Sequence, residues 1–275
     1  AFANYSICGL PFYLSGEVGD WCRLAHRTQD ELEGKGLKLL LNHTAQEIDP
    51  LKRLVKVVDK AGLEKNLSYN RLLIATGATP SLPQISGVHE PGVFPLHTME
   101  DSFQLNHFLT EQRPRSAIII GGGYIGLEMA DALTYRGLKV TLIGRTTRVL
   151  PTVDQELGAL VEKELGRHKV EVINQITVES IERVKNKLVV KGSGGFLSKA
   201  DLVLVATGVR PSSRLGTHAG VLTTSQGALC VNRKMETNVP GIYAAGDCVE
   251  TWHHLLQTYV YLPLGTTAHK QGRVA

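Results

Sequence analysis

Along the second half of the chain, short apolar blocks alternate with longer stretches in which apolar residues recur at helical spacing. The block at 116–120, SAIII, runs into three glycines, and a helical pattern follows at 124–136. A second apolar block at 138–143 leads to a helix at 153–167, a strand at 169–174, a hairpin across 176–191 and a strand at 200–206. Apolar runs of about four to eight residues read as buried strands and a 3.6-residue period reads as helix. Their alternation predicts an α/β fold with a parallel, doubly wound sheet.

The first half is less regular. A helix is expected near 20–34, then short strands at 37–42, 44–49 and 53–58, the last two joined by Pro50-Leu51-Lys52. Residues 79–97 carry Pro80, Pro83, Pro91 and Pro95 among glycines and read as a linker, with a helix following at 98–112. The expected boundary lies near 110–115, giving one domain of 1–110 and 236–275 and a second of 111–235. One phrase recurs, LLIATGATP at 72–80 and LVLVATGVRP at 202–211, each an apolar strand entering Ala-Thr-Gly and a proline turn. The chain opens without Met, and TTAHKQGRVA at its close reads as a helix in progress, so both ends read as cuts.

Composition narrows the function. At 275 residues two domains are expected. A net charge of +4 is scattered, with no run of five basic residues, which argues against a nucleic-acid partner. No apolar stretch approaches the roughly 20 residues of a membrane span, and the start lacks the pattern of a signal peptide, so a cytoplasmic protein with no membrane partner is expected. Cys8, Cys22, Cys230 and Cys248 form no Cys-x-x-Cys pair and have no histidine at zinc spacing, so neither a metal site nor a disulfide framework is expected.

The clearest chemical signal is Gly121-Gly122-Gly123-Tyr124-Ile125-Gly126, a G-x-G-x-x-G phrase between a strand and a helix. Gly121 permits the tight turn, Gly123 the approach of a pyrophosphate and Gly126 close packing of helix on strand, with the helix N-terminus facing the anion. An acid usually follows about 20 residues on, to bind the adenosine ribose of NAD. Here that position is Gly144, followed by Arg145 and Arg148. Guanidinium groups suit a 2′-phosphate, so a preference for NADPH over NADH is expected, with Arg145 first and Arg148 second. Solvated arginines that tolerate either nucleotide are the alternative.

A second phrase, VPGIYAAGDCVE at 239–250, ends a short strand on Gly246-Asp247. Together with the fingerprint and the two Ala-Thr-Gly phrases it resembles the pyridine nucleotide-disulfide oxidoreductase family. The resemblance implies two interleaved Rossmann-like domains for FAD and NAD(P)H, the FAD domain incomplete for want of its first strand and glycine loop. It implies that Gly246 and Asp247 hold the flavin's ribityl chain. It also sets Thr76-Gly77 and Thr207-Gly208 beside FAD and NAD(P)H respectively.

Within the family SICGLPFYLSGEV at 6–18 is similar to the branch with one reactive cysteine, the coenzyme A disulfide reductases, NADH oxidases and NADH peroxidases. The resemblance makes Cys8 the thiol that cycles between thiolate and a mixed disulfide or sulfenic acid. Its place just before a helix expected from Pro11 favours thiolate. Tyr124 then covers the nicotinamide pocket and moves aside for the cofactor, and Glu128 lies near the nicotinamide. As an alternative, Tyr124 only packs on the first helical turn and Glu128 is only a charge that the helix dipole favours.

Electrons are thus expected to pass from NAD(P)H through FAD to Cys8 and on to a small-molecule disulfide, persulfide, oxygen or peroxide. A homodimer built by a further C-terminal domain is implied as well. Two other readings stand beside this one, a ferredoxin- or rubredoxin-type reductase and a catalytically inert NAD(P)H-binding fragment.

Overall fold

The structure, a computed structural model, describes residues 2–275. Residue 1, part of the start read above as no signal peptide, lies outside them. The chain divides into two compact units, each discontinuous in sequence, whereas the second expected domain was the single segment 111–235. Asn4–His26 and Pro80–Gly208 form one, which contains the glycine fingerprint; Arg27–Thr79 and Val209–Ala275 form the other.

The fingerprint unit is built on a five-stranded sheet. Strand Ser116–Ile120 pairs in parallel with Lys139–Ile143 on one side and with Leu202–Val205 on the other. Glu171–Ile173 extends the first side and Val93–Pro95 the second, both in parallel. Ser116–Ile120 is buried from its second residue onward because both faces of a parallel sheet are covered, and for that reason Ala117 to Ile120 are uniformly apolar. Helices Tyr124–Tyr135 and Gln155–Arg167 provide the crossovers. An antiparallel layer of Val178–Val184, Lys187–Gly192 and Phe196–Ala200 packs Ile181, Leu188 and Val190 into the same core as Ile118, Ile120 and Val203.

The expected linker at 79–97 belongs to this unit, and the division falls at 3/4, 26/27, 79/80 and 208/209 rather than at 110/111 and 235/236, so that Asn4–His26, with Cys8, groups with the fingerprint. Leu82, Ile85 and Val88 pack on the core, and Ile181 N donates to Ser86 O at 2.9 Å. A Cβ on Gly87 (φ 78°) would meet Ile181 O at 1.7 Å, so the glycine there serves close packing rather than flexibility.

The other unit holds a meander of Thr44–Asp49, Leu54–Val58 and Glu64–Ser68, and a parallel pair, Leu72–Ile74 with Ile242–Ala244. Its core joins Ile48, Val55, Ile74, Leu229, Ile242 and Cys248. Two expectations fail in detail. No strand forms at 37–42, and the third strand of the meander is instead the polar Glu64–Ser68. The helix expected at 20–34 is two short pieces, Trp21–Leu24 and Gln29–Glu33. Asp20 accepts from Cys22 N and Thr28 from Glu31 N, so two caps start two separate turns. The last helix, Gly265–Gly272, is followed by Ala275 N donating to Gln271 O at 3.0 Å, a bond of helical spacing.

Candidate functional site

The fingerprint turn owes its shape to three glycines with different surroundings. Gly121 sits at φ 121°, and a Cβ there would lie 2.2 Å from Ala206 O. A Cβ on Gly126 would lie 1.9 Å from Gly121 O, so only glycine lets the helix start against the turn. Gly123, by contrast, has nothing within 4 Å of its Cβ position. It is the N-cap of Tyr124–Tyr135 and supplies no side-chain cap, so the first-turn amides of that helix gain no partner from it. Open space in front of uncapped amides at a helix N-terminus suits a pyrophosphate, and these residues fit one.

Around this turn stand most of the other candidates from the same unit. Thr207 and Gly208 follow Leu202–Val205, whose end is tied to the fingerprint strand by Ala206 N donating to Ile120 O at 2.8 Å. Both are exposed, and Thr207 Oγ1 donates to Ser81 O. Tyr124 is 50% exposed, with its hydroxyl held by Thr152 Oγ1 at 3.1 Å. Ile125 is half-buried in the first turn. Glu128, one turn further, is exposed on the same helix, yet its partly desolvated setting pushes its carboxyl up.

At the end of Lys139–Ile143 the loop carrying Gly144, Arg145 and Arg148 is stitched in place. Gly144 N donates to Ile173 O at 2.9 Å, and Leu150 N donates to Gly122 O at 2.8 Å. Gly144 is buried and Arg145 is exposed. Arg148 Nη1 lies 2.7 Å from Glu162 Oε2, so this arginine already has a carboxylate partner.

Cys8 is an exposed free thiol in the single turn Ile7–Gly9, directly ahead of helix Leu10–Ser15, which starts one residue earlier than expected. Packing fixes the place of that helix. Arg136, at the C-cap of the fingerprint helix, donates to Leu14 O at 2.8 Å and to Asn106 Oδ1 at 2.9 Å, while Asn106 Nδ2 donates to Tyr13 OH at 3.1 Å.

In the other unit the two remaining phrases end neighbouring parallel strands. Thr76-Gly77 follows Leu72–Ile74, and Gly246-Asp247 follows Ile242–Ala244, with Ala245 N donating to Ile74 O at 3.0 Å. Gly77 (φ 67°) and Gly246 (φ 86°) both turn the chain at the carboxyl edge, where open α/β sheets take ligands. Thr76 Oγ1 donates to Ser212 O at 2.5 Å, and Gly246 N donates to Gln271 Oε1 at 2.8 Å. Asp247 is half-buried, and Tyr261 donates to its carbonyl oxygen at 2.9 Å, with burial pushing the Tyr261 phenol up to about 12. Cys248 next to it is fully buried, its thiol raised by burial, as expected of a cysteine with a packing role.

No group of His, Cys, Asp and Glu able to hold a metal occurs among the described residues. Nor is any helix among them long and apolar enough to cross a membrane. Thr152, Glu162 and Asn174 were not singled out from sequence, and nothing in their spacing marks them.

The family model described as pyridine nucleotide-disulphide oxidoreductase matches residues 10–272. A CoA-dependent NAD(P)H sulfur oxidoreductase of Pyrococcus furiosus is 34% identical over all of this chain and 61% of its own length. An NADH oxidase of Methanocaldococcus jannaschii is 34% identical over 98% of this chain and 60% of its own. Among solved structures, an NAD-dependent persulfide reductase from A. fulgidus superposes with a TM-score of 0.94 at 36% identity, covering 99% of this chain and 52% of that one. The chain thus spans about 60% of the length of the curated relatives it matches.

Proposed function

The chain belongs to the pyridine nucleotide-disulphide oxidoreductase family, and on that premise we propose that it is the nucleotide-handling and thiol-bearing part of an NAD(P)H-dependent reductase of small disulfides or persulfides. The observation that carries this reading is the open space over Gly123 at an uncapped helix N-terminus, flanked by Gly121 and Gly126 that admit no side chain. The pyrophosphate of NAD(P)H takes the first-turn amides of Tyr124–Tyr135, and Thr207-Gly208 lines the neighbouring strand end. Tyr124 shields the nicotinamide position and turns aside for the cofactor by releasing its Thr152 hydrogen bond. The fingerprint unit is then the NAD(P)H domain, and the other unit, with Thr76, Gly77, Gly246 and Asp247, is the FAD domain.

FAD, when bound, supplies a two-electron relay between nicotinamide and thiol. Cys8 takes the substrate's sulfur in thiol–disulfide exchange: its thiolate attacks one sulfur of R–S–S–R, the S–S bond breaks and RS⁻ leaves as a thiol once protonated. Regeneration consumes one NAD(P)H and one proton per mixed disulfide and returns the Cys8 thiol and a second RSH. Relatives named as a CoA-dependent sulfur oxidoreductase, a persulfide reductase and a coenzyme A disulfide reductase favour coenzyme A disulfides and persulfides as substrates; oxygen and peroxide are the other class. Arg145, exposed beside Gly144, gives a modest preference for NADPH, with Arg148 second. A cytoplasmic homodimer, with neither nucleic acid nor membrane as partner, completes the reading.

The test is turnover of coenzyme A disulfide by the whole, FAD-loaded reductase of which this chain is a part, with Cys8, Cys22, Cys230 and Cys248 each changed to Ser. Loss confined to Cys8→Ser is expected, and wild-type turnover by that variant would refute the assignment.

A further inference from the structure

The loop that carries the two candidate arginines is gripped by one carboxylate. Glu162, on Gln155–Arg167, accepts from Arg148 Nη1 at 2.7 Å, from Val149 N at 3.1 Å and from Asn174 Nδ2 at 2.7 Å. Its side chain is only 14% exposed, whereas that of Arg148 is 48% exposed. Burial works to raise the Glu162 carboxyl, but the hydrogen bonds from Asn174, Val149 and Arg148 outweigh it and hold it down. The carboxylate is therefore charged at neutral pH and already satisfied.

The same helix is shaped to receive the loop at a second point. A Cβ on Gly158 would lie 2.8 Å from Val149 O and 3.3 Å from Arg148 Cβ, so loop and helix touch where only glycine fits. On its other side, Asn174 Oδ1 is buried without a partner and lies 3.0 Å from the Cβ position of Gly144. A side chain at 144, as an acid there would require, would crowd that oxygen. The loop is thus held by Glu162 through both Arg148 and Asn174, and the Arg148 charge is spent on the grip.

We propose that Glu162 is a specificity-positioning residue: it sequesters Arg148 from the 2′-phosphate, leaving Arg145 as the main discriminating cation and keeping the preference for NADPH modest. This rests on the NAD(P)H reading above. A guanidinium released from its carboxylate is free to make a charge-assisted bond to phosphate.

The experiment measures Kd for NADPH and for NADH by fluorescence titration of the flavin-free protein, in wild type, Glu162→Gln, Arg145→Ala, Arg148→Ala and the Glu162→Gln/Arg148→Ala double variant. Glu162→Gln keeps the shape and one acceptor, and is expected to raise the NADPH:NADH affinity ratio roughly five- to tenfold. That gain should vanish in the double variant, and Arg148→Ala alone should lower the ratio less than Arg145→Ala does. An unchanged or lowered ratio in Glu162→Gln with NADH still bound would overturn this inference alone. A gain that persists without Arg148 would also overturn it, because it would reflect removal of a negative charge only. An Arg148→Ala loss as large as that of Arg145→Ala would do the same without relying on the fold of the Glu162 variant. Failure of the wild-type protein to bind either nucleotide would overturn the functional reading, and this inference with it.

Discussion

Replacing Gly123 by Ala should separate nucleotide binding from folding. The backbone there is extended (φ −88°, ψ −172°), which any L-residue adopts, and no atom lies within 4 Å of the new Cβ. Gly→Ala at a compatible site stabilises by about 0.4–1 kcal/mol through the unfolded chain. Alanine is a poorer N-cap than glycine, a loss of similar size, so the net change should stay within about 1 kcal/mol of zero. The added methyl, however, occupies the space where the pyrophosphate approaches, and Kd for NAD(P)H should rise about tenfold or more, or roughly 1.4 kcal/mol.

Gly126→Ala provides the contrast. Its Cβ would stand 1.9 Å from the Gly121 carbonyl oxygen, backbone on which no rotamer change helps. Overpacking of that kind costs about 1–3 kcal/mol, so this variant should lose both stability and binding. Urea unfolding paired with isothermal titration of NADPH reads both quantities. Wild-type affinity in Gly123→Ala would show that no ligand approaches that turn, and a large destabilisation there would mean the glycine is structural.

Two pH effects follow from named carboxylates. Asp201 accepts from Ser116 Oγ at 2.8 Å, from the Arg115 and Ser116 amides at 3.1 Å and from Lys187 Nζ at 2.7 Å; burial raises its carboxyl, but these partners hold it net below its usual 3.8. Its contribution is present above 3.8 and lost as pH falls through the lower folded value, so Asp201→Asn should cost about 1–3 kcal/mol at pH 7 and progressively less in acid. Equal losses at pH 7 and pH 3 in urea melts would contradict this. Glu128 has the opposite sign: desolvation raises its folded carboxyl above 4.5, so the folded state binds the extra proton and stability falls as pH rises through that window. Glu128→Gln should flatten that limb of the stability profile, and an unaltered profile would sink the reasoning.

The stretch 116–143 was legible almost to the residue because a buried strand, a glycine turn and an amphipathic helix each impose their own period. The stretch 79–97 was not. Its prolines and glycines read as punctuation, while Leu82, Ile85 and Val88 gain meaning only from the antiparallel layer that arrives about a hundred residues later. Glu64–Ser68 was missed because it is polar at nearly every position; pairing with Leu54–Val58, not apolar alternation, makes it a strand. Of the site, the glycines were legible since each answers a steric demand. The partner of Arg148 was not, because sequence displays the charge and hides the carboxylate fourteen residues away that neutralises it.

The central claim, that electrons from NAD(P)H arrive at Cys8, is tested most directly by differential alkylation. The whole, FAD-loaded reductase of which this chain is a part is first converted to its mixed disulfide with coenzyme A, then treated anaerobically with one equivalent of NADPH. It is finally labelled with iodoacetamide and mapped by mass spectrometry. The account predicts that Cys8 is protected before NADPH and labelled after it, with release of one coenzyme A thiol per nucleotide oxidised. A Cys8 label independent of NADPH, or coenzyme A released from a different cysteine, would contradict it.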